Sequence, residues 1–62
     1  MNEFTKSCYE SASTTKTEHL KELTSMLKYR LDYCSFSSPE ELSKCKENYR
    51  VYAEVLESRN AK

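Results

Sequence analysis

Across 62 residues the chain contains no glycine, and its single proline is Pro39. Tight β-hairpin turns call for residues that accept positive φ, which glycine supplies at no steric cost. A fold made of many such turns is therefore a poor match, and long helices joined by ordinary backbone are the natural alternative. The expected fold class is all-α: an antiparallel two-helix hairpin forming one domain over residues 1–62.

The proline stands where a helix can begin. In Ser38-Pro39-Glu40-Glu41 the serine hydroxyl can accept from a free amide of the first turn. Proline at the first helical position loses no hydrogen bond, and both acids favour the positive end of the helix dipole. Glu41 stands where a capping box has its acidic residue. Downstream, Leu42, Cys45, Tyr49, Tyr52 and Leu56 step by 3, 4, 3 and 4, a heptad seam, with Val51 and Val55 as a flanking strip. The second helix is predicted over 39–59.

Upstream, Leu20, Leu23, Leu27, Leu31 and Cys34 keep helical spacing, with Met26 beside the stripe. Where this helix starts is open to two readings. Thr15-Lys16-Thr17-Glu18 has the form of a capping box, and Ser11–Thr15 is poor in helix formers. Against that, Phe4, Cys8, Ala12, Thr15 and His19 hold a helical row straight through the same stretch. The continuous row favours one long first helix over 2–33, with 34–38 as the turn and Phe36 as a plug over the hairpin end.

A chain of this length buries only ~60% of its unfolded surface, and two helices close little core. Small scaffolds compensate with disulfides, a metal or association. Three cysteines, Cys8, Cys34 and Cys45, leave at least one free thiol. Antiparallel pairing separates Cys34 from Cys45 by ~9 Å along the axis at ~1.5 Å per residue, beyond disulfide reach, so free thiols are expected. With His19 the count reaches four metal ligands, but zinc sites use close pairs and these are scattered. No metal or cofactor is expected, and His19 reads as a seam-edge residue. Association remains. If the first helix is long, Phe4, Cys8 and Ala12 project beyond the hairpin, while Val51, Val55 and Leu56 are left uncovered. A symmetric dimer, each protruding segment lying across its neighbour's strip, makes a four-helix bundle.

Charge is balanced at ten Lys/Arg and ten Asp/Glu, so no net field draws the chain to nucleic acid or acidic lipid. Lys44, Lys46 and Arg50, with Lys28 and Arg30, make modest basic clusters diluted by Glu40, Glu41, Glu47 and Glu54. These read as exposed i,i+3 and i,i+4 pairs, Glu40–Lys44, Glu41–Lys44 and Glu47–Arg50 among them. Nucleic-acid binding is a minor alternative. No segment has the length of apolar chain that spans a bilayer, and Met1-Asn2-Glu3-Phe4 lacks the basic start of a signal peptide. The cytoplasm is the default expectation.

Catalysis finds no constellation. Cys8 and His19 lie about three turns apart on one helix, ~16 Å at 1.5 Å per residue, and cannot act as nucleophile and base within a chain. Five tyrosines supply most of the aromatic content, and tyrosine suits faces that are covered on association yet half wet alone. Tyr49 and Tyr52 fall on the seam. Tyr29 and Tyr33 fall off the leucine stripe and are the candidates for a partner surface. The expected function is that of a small non-enzymatic regulatory or adaptor protein, docking a helical face onto a protein partner and onto itself as a homodimer.

In Leu42-Ser43-Lys44-Cys45-Lys46-Glu47, Ser43 and Glu47 have the spacing of a Ser-x-x-x-Asp motif after an apolar residue. In this and in its hairpin topology the segment resembles the helical-hairpin aspartyl-phosphate phosphatases of sporulating bacteria. It departs from them in having glutamate for aspartate, no glutamine after the serine, and Lys46 where that family has an apolar residue. The resemblance implies a second reading, an enzyme-like effector in which Glu47 is a solvent-facing carboxylate inserted into a partner.

Overall fold

A computed structural model describes residues 2–60 of the chain. It is all-helical: α1 spans Glu3–Thr14, α2 Thr17–Tyr33 and α3 Pro39–Asn60, and no strand occurs among the described residues. Three helices stand where two were expected. The single helix predicted over 2–33 is interrupted at Thr15 and Lys16, both in extended backbone with ψ of 138° and 147°.

Each boundary has a local cause. Asn2 caps α1, its side chain accepting from the Thr5 amide at 2.8 Å. At the other end, the Thr14 and Thr15 hydroxyls turn back onto the Ser11 carbonyl at 3.1 and 2.6 Å. Threonine in this role competes with the backbone ladder and weakens helix continuation. The capping box written in Thr15–Glu18 does not form: α2 starts after Lys16 with no side-chain cap. The start of α3 follows its signal more closely. The Ser38 hydroxyl accepts from the Glu41 amide at 3.2 Å. Glu41 reaches one residue further back than a capping box requires, accepting from the Ser37 amide and hydroxyl at 3.3 and 3.0 Å.

The long helix α3 packs against both others, whereas α1 and α2 barely meet. Bonds from Thr5 to Glu47, Tyr9 to Glu54, and Arg59 to the α1 end show α1 running parallel to α3. The turn at 34–38 sends α2 antiparallel to it. Extents of 37 × 26 × 16 Å match this layout. The first is close to the length of α3, ~33 Å for 22 residues, and the third exceeds the ~10–12 Å of a single helix, so the three helices do not lie in one flat layer.

The core is small. Cys8, Ala12, Leu20, Cys45 and Val51 are buried, with Leu20 and Val51 the largest fully enclosed side chains, each contributing about 1.5–3 kcal/mol. Ala12 is wholly enclosed too, and its small side chain lets α1 come close to α3. Of the predicted stripe and seam residues Leu20 and Cys45 are buried, Leu23, Leu27, Leu31, Leu42, Tyr49, Tyr52 and Leu56 are half-buried, and Cys34 is exposed. The reason is that α2 packs against α3 and barely meets α1, so it is covered on one side only. Cys8, Cys34 and Cys45 are all free thiols. No helix among the described residues is long and apolar enough to cross a membrane.

Candidate interaction surface

The α1–α3 contact is organised around Val51. One turn before it, the Glu47 carboxylate accepts from the Thr5 hydroxyl at 2.6 Å and from the Arg50 Nε and Nη2 at 2.7 and 3.0 Å. One turn after it, Glu54 accepts from the Tyr9 hydroxyl at 2.8 Å and from Arg50 Nη1 at 3.1 Å. Two turns after it, the Arg59 guanidinium donates to the carbonyls of Thr15, Ala12 and Ser13 at 2.6, 3.0 and 3.1 Å. These carbonyls lie at the end of α1, where the dipole favours a cation; that of Ala12 also accepts from the Thr15 amide at 3.3 Å.

This arrangement locates the residues proposed for an interface. Phe4, Cys8 and Ala12 on α1, and Val51, Val55 and Leu56 on α3, were matched in sequence as surfaces of two copies. In the structure α1 does not project past α3. Cys8, Ala12 and Val51 are buried within one chain, Val55 and Leu56 are half-buried, and Phe4 retains 37% of its surface. The break at 15–16 is what folds α1 back.

The polar clusters resolve in the same way. The expected Glu47–Arg50 pair is present at 2.7 Å. Arg50, then Thr5, hold the Glu47 carboxyl down at about 2, so it is ionised throughout the ordinary pH range. Burial, reinforced by Glu47, pushes the Cys8 thiol up. The expected pairs of Lys44 with Glu40 and Glu41 are not made, and Glu41 turns to Ser37 instead. His19 lies 3.9 Å from Glu22 on the surface of α2. No three metal-ligating side chains gather among the described residues.

What faces outward is concentrated on α2. Met26, Tyr29 and Tyr33 keep 61%, 61% and 76% of their surface. Steps of three and four place them on one strip, opposite the side that carries Leu20, Leu27 and Leu31. The two tyrosine rings meet with centroids 4.8 Å apart at 42°. Both tyrosines were expected on an outer surface; Met26, expected beside the leucine stripe, shares their strip, as its spacing of three and seven residues from them allows.

Next to the strip, at the turn end, lies an open groove of about 330 Å³. Phe4, Leu27, Phe36 and Cys45 form its apolar part, and Arg30, Glu41, Lys44 and Asn48 its polar part. The Arg30 guanidinium sits 6.0 Å from the Phe36 ring centroid. Phe36 thus plugs the turn only partly.

The molecule is also open for its size. It exposes 4810 Å², against about 4200 Å² for a compact monomer of its mass. Its radius of gyration is 11.7 Å against about 10.6 Å expected for its length. The excess agrees with an uncovered outer face on α2. No family model, curated protein or solved structure matches the chain.

Proposed function

We propose that the protein is a non-enzymatic adaptor that docks the outer face of α2 onto a protein partner. One observation carries the reading: Met26, Tyr29 and Tyr33, large apolar side chains that could have been buried, form a single exposed strip. The two tyrosines are rigid aromatic side chains, which supply binding energy at low entropic cost and are enriched in interface hot spots. The strip exposes roughly 400 Å² on side-chain areas of ~200 Å² each, half of what one side of a standard stable interface buries. Transient docking to a larger partner fits this area better than a permanent homodimer.

The alternative readings draw less support. In the phosphatase-like reading Glu47 must be available to a partner, yet Thr5 and Arg50 already occupy it. For a nucleic-acid binder, Arg50 is neutralised by Glu47 and Glu54. A homodimeric four-helix bundle needs the Val51 strip free, which requires α1 to leave α3.

The test is a paired capture from native lysate, using the natural protein and a Tyr29→Ala/Tyr33→Ala variant. Both residues are exposed, so the variant keeps the helical circular dichroism of its parent. A discrete set of proteins held by the natural chain and lost by the variant supports the reading. Identical capture by both refutes it. Sizing of the pure chain across concentration reads the dimer: a concentration-independent monomer removes it.

A further inference from the structure

We infer that the turn-end groove receives an apolar side chain from an acidic amphipathic segment of the partner, with carboxylates beside that side chain set against Arg30 and Lys44. The inference rests on the adaptor reading and specifies the chemistry of what is bound.

Three observations choose this occupant. The groove walls are aromatic and aliphatic, from Phe4, Leu27 and Phe36 on three different segments, so the site exists only in the folded chain. Its volume of about 330 Å³ lies at the low end of the ~300–1,000 Å³ of small-ligand sites. That suits one large side chain entering from a segment that passes over an open mouth. The lining carries two cations, Arg30 and Lys44, against one acid, Glu41, a net excess of one positive charge. Among the described residues neither Arg30 nor Lys44 makes an ion pair. The one acid in the lining, Glu41, accepts two bonds from Ser37 at the start of α3.

The groove is also continuous with the proposed docking strip. On α2, Arg30 lies between the strip residues Met26 and Tyr33 and the groove residue Leu27, around a single helix. A helix lying across α2 can rest on the tyrosines, insert one side chain by Phe36, and meet both cations with its own acids. That is the helix-in-groove mode, with electrostatic complementarity selecting the partner's sign.

The experiment selects a displayed library of amphipathic helical peptides against the immobilised full chain, then measures binding of the selected peptides by fluorescence anisotropy. Selected sequences are expected to carry Asp or Glu flanking a Leu, Phe or Trp. Their affinity is expected to fall at least tenfold on an Arg30→Gln/Lys44→Gln variant and when their acids are changed to amides. An Arg30→Glu/Lys44→Glu variant is expected to select basic flanks instead. Both positions are exposed, and circular dichroism checks that each variant stays folded. No acidic enrichment, or equal binding to the charge variants, overturns the groove. So does salt-sensitive binding of a single-stranded oligonucleotide with no peptide selected. If Tyr29→Ala/Tyr33→Ala abolishes peptide binding while the charge variants do not, the groove inference fails and the strip reading stands. If the charge variants abolish binding and the tyrosine variant does not, the tyrosine strip is not part of the docking face and the adaptor binds its partner through the groove alone.

Discussion

Replacing Arg59 with alanine removes the side chain that, among the described residues, hydrogen-bonds the end of α1 to the end of α3. Its guanidinium donates to three carbonyls at 2.6 to 3.1 Å and lies 3.3 Å from the Thr17 hydroxyl across the break. Buried hydrogen bonds to a charged group contribute ~1.5–3 kcal/mol each, but this side chain is half-buried and the freed carbonyls can rehydrate. A cation at a well-placed helix C-terminus contributes up to ~2 kcal/mol, and about 2 kcal/mol is the expected loss for Arg59→Ala. In a domain this small each kcal/mol moves Tm by up to ~8 °C, so a fall of roughly 15 °C should follow. Arg59→Lys keeps the charge but not the planar fork that spans three acceptors, and should recover about half. Chemical denaturation gives the energies, and hydrogen exchange gives the location. Amides of α1 should lose protection ahead of those in α2 and α3. If both variants lie within about 0.5 kcal/mol of the parent, or if protection falls evenly over all three helices, Arg59 does not hold α1 in place.

Two further expectations concern titratable groups. The folded-state carboxyl of Glu47 titrates at about 2, below its ordinary value of 4.5. Its stabilisation is therefore complete above pH 4.5 and is lost as pH falls toward 2, where the unfolded chain binds the proton more readily. Denaturation midpoints measured from pH 7 to pH 2 should fall through that window, and Glu47→Gln should flatten the profile; an unchanged profile in the variant counts against the Thr5–Glu47–Arg50 cluster. Thiol labelling should separate the cysteines: Cys34 is exposed and should react at once, whereas Cys8 and Cys45 are buried and should react only as the chain opens. Three equal fast rates would contradict the core as described.

Features that depend on neighbours in sequence were legible without coordinates. A chain without glycine is helical, the Ser38–Glu41 segment starts a helix, and Cys45 lies on its inner side. These rest on backbone preference, on capping within a few residues and on helical periodicity, all of which act locally. The exposure of Tyr29 and Tyr33 was also legible, because they fall off the leucine stripe by their spacing alone.

The break at Thr15 and Lys16 was not, although its local ingredients were visible as threonines and a paper capping box. Helical periodicity through the same stretch argued equally well for continuation. Arg59, 44 residues further along the chain than Thr15, accompanies the break by bonding the carbonyls it frees. The groove was likewise out of reach, since Phe4, Leu27, Phe36 and Lys44 come together only after α1 has folded back along α3. Sequence periodicity showed that the Cys8 and Val51 strips were both apolar and both in need of cover. A pattern of faces carries no information on whether the cover comes from the same chain. That was decided by the reversal at 15–16, which brings α1 to its own α3, where contact forms without the entropic cost of bringing two molecules together.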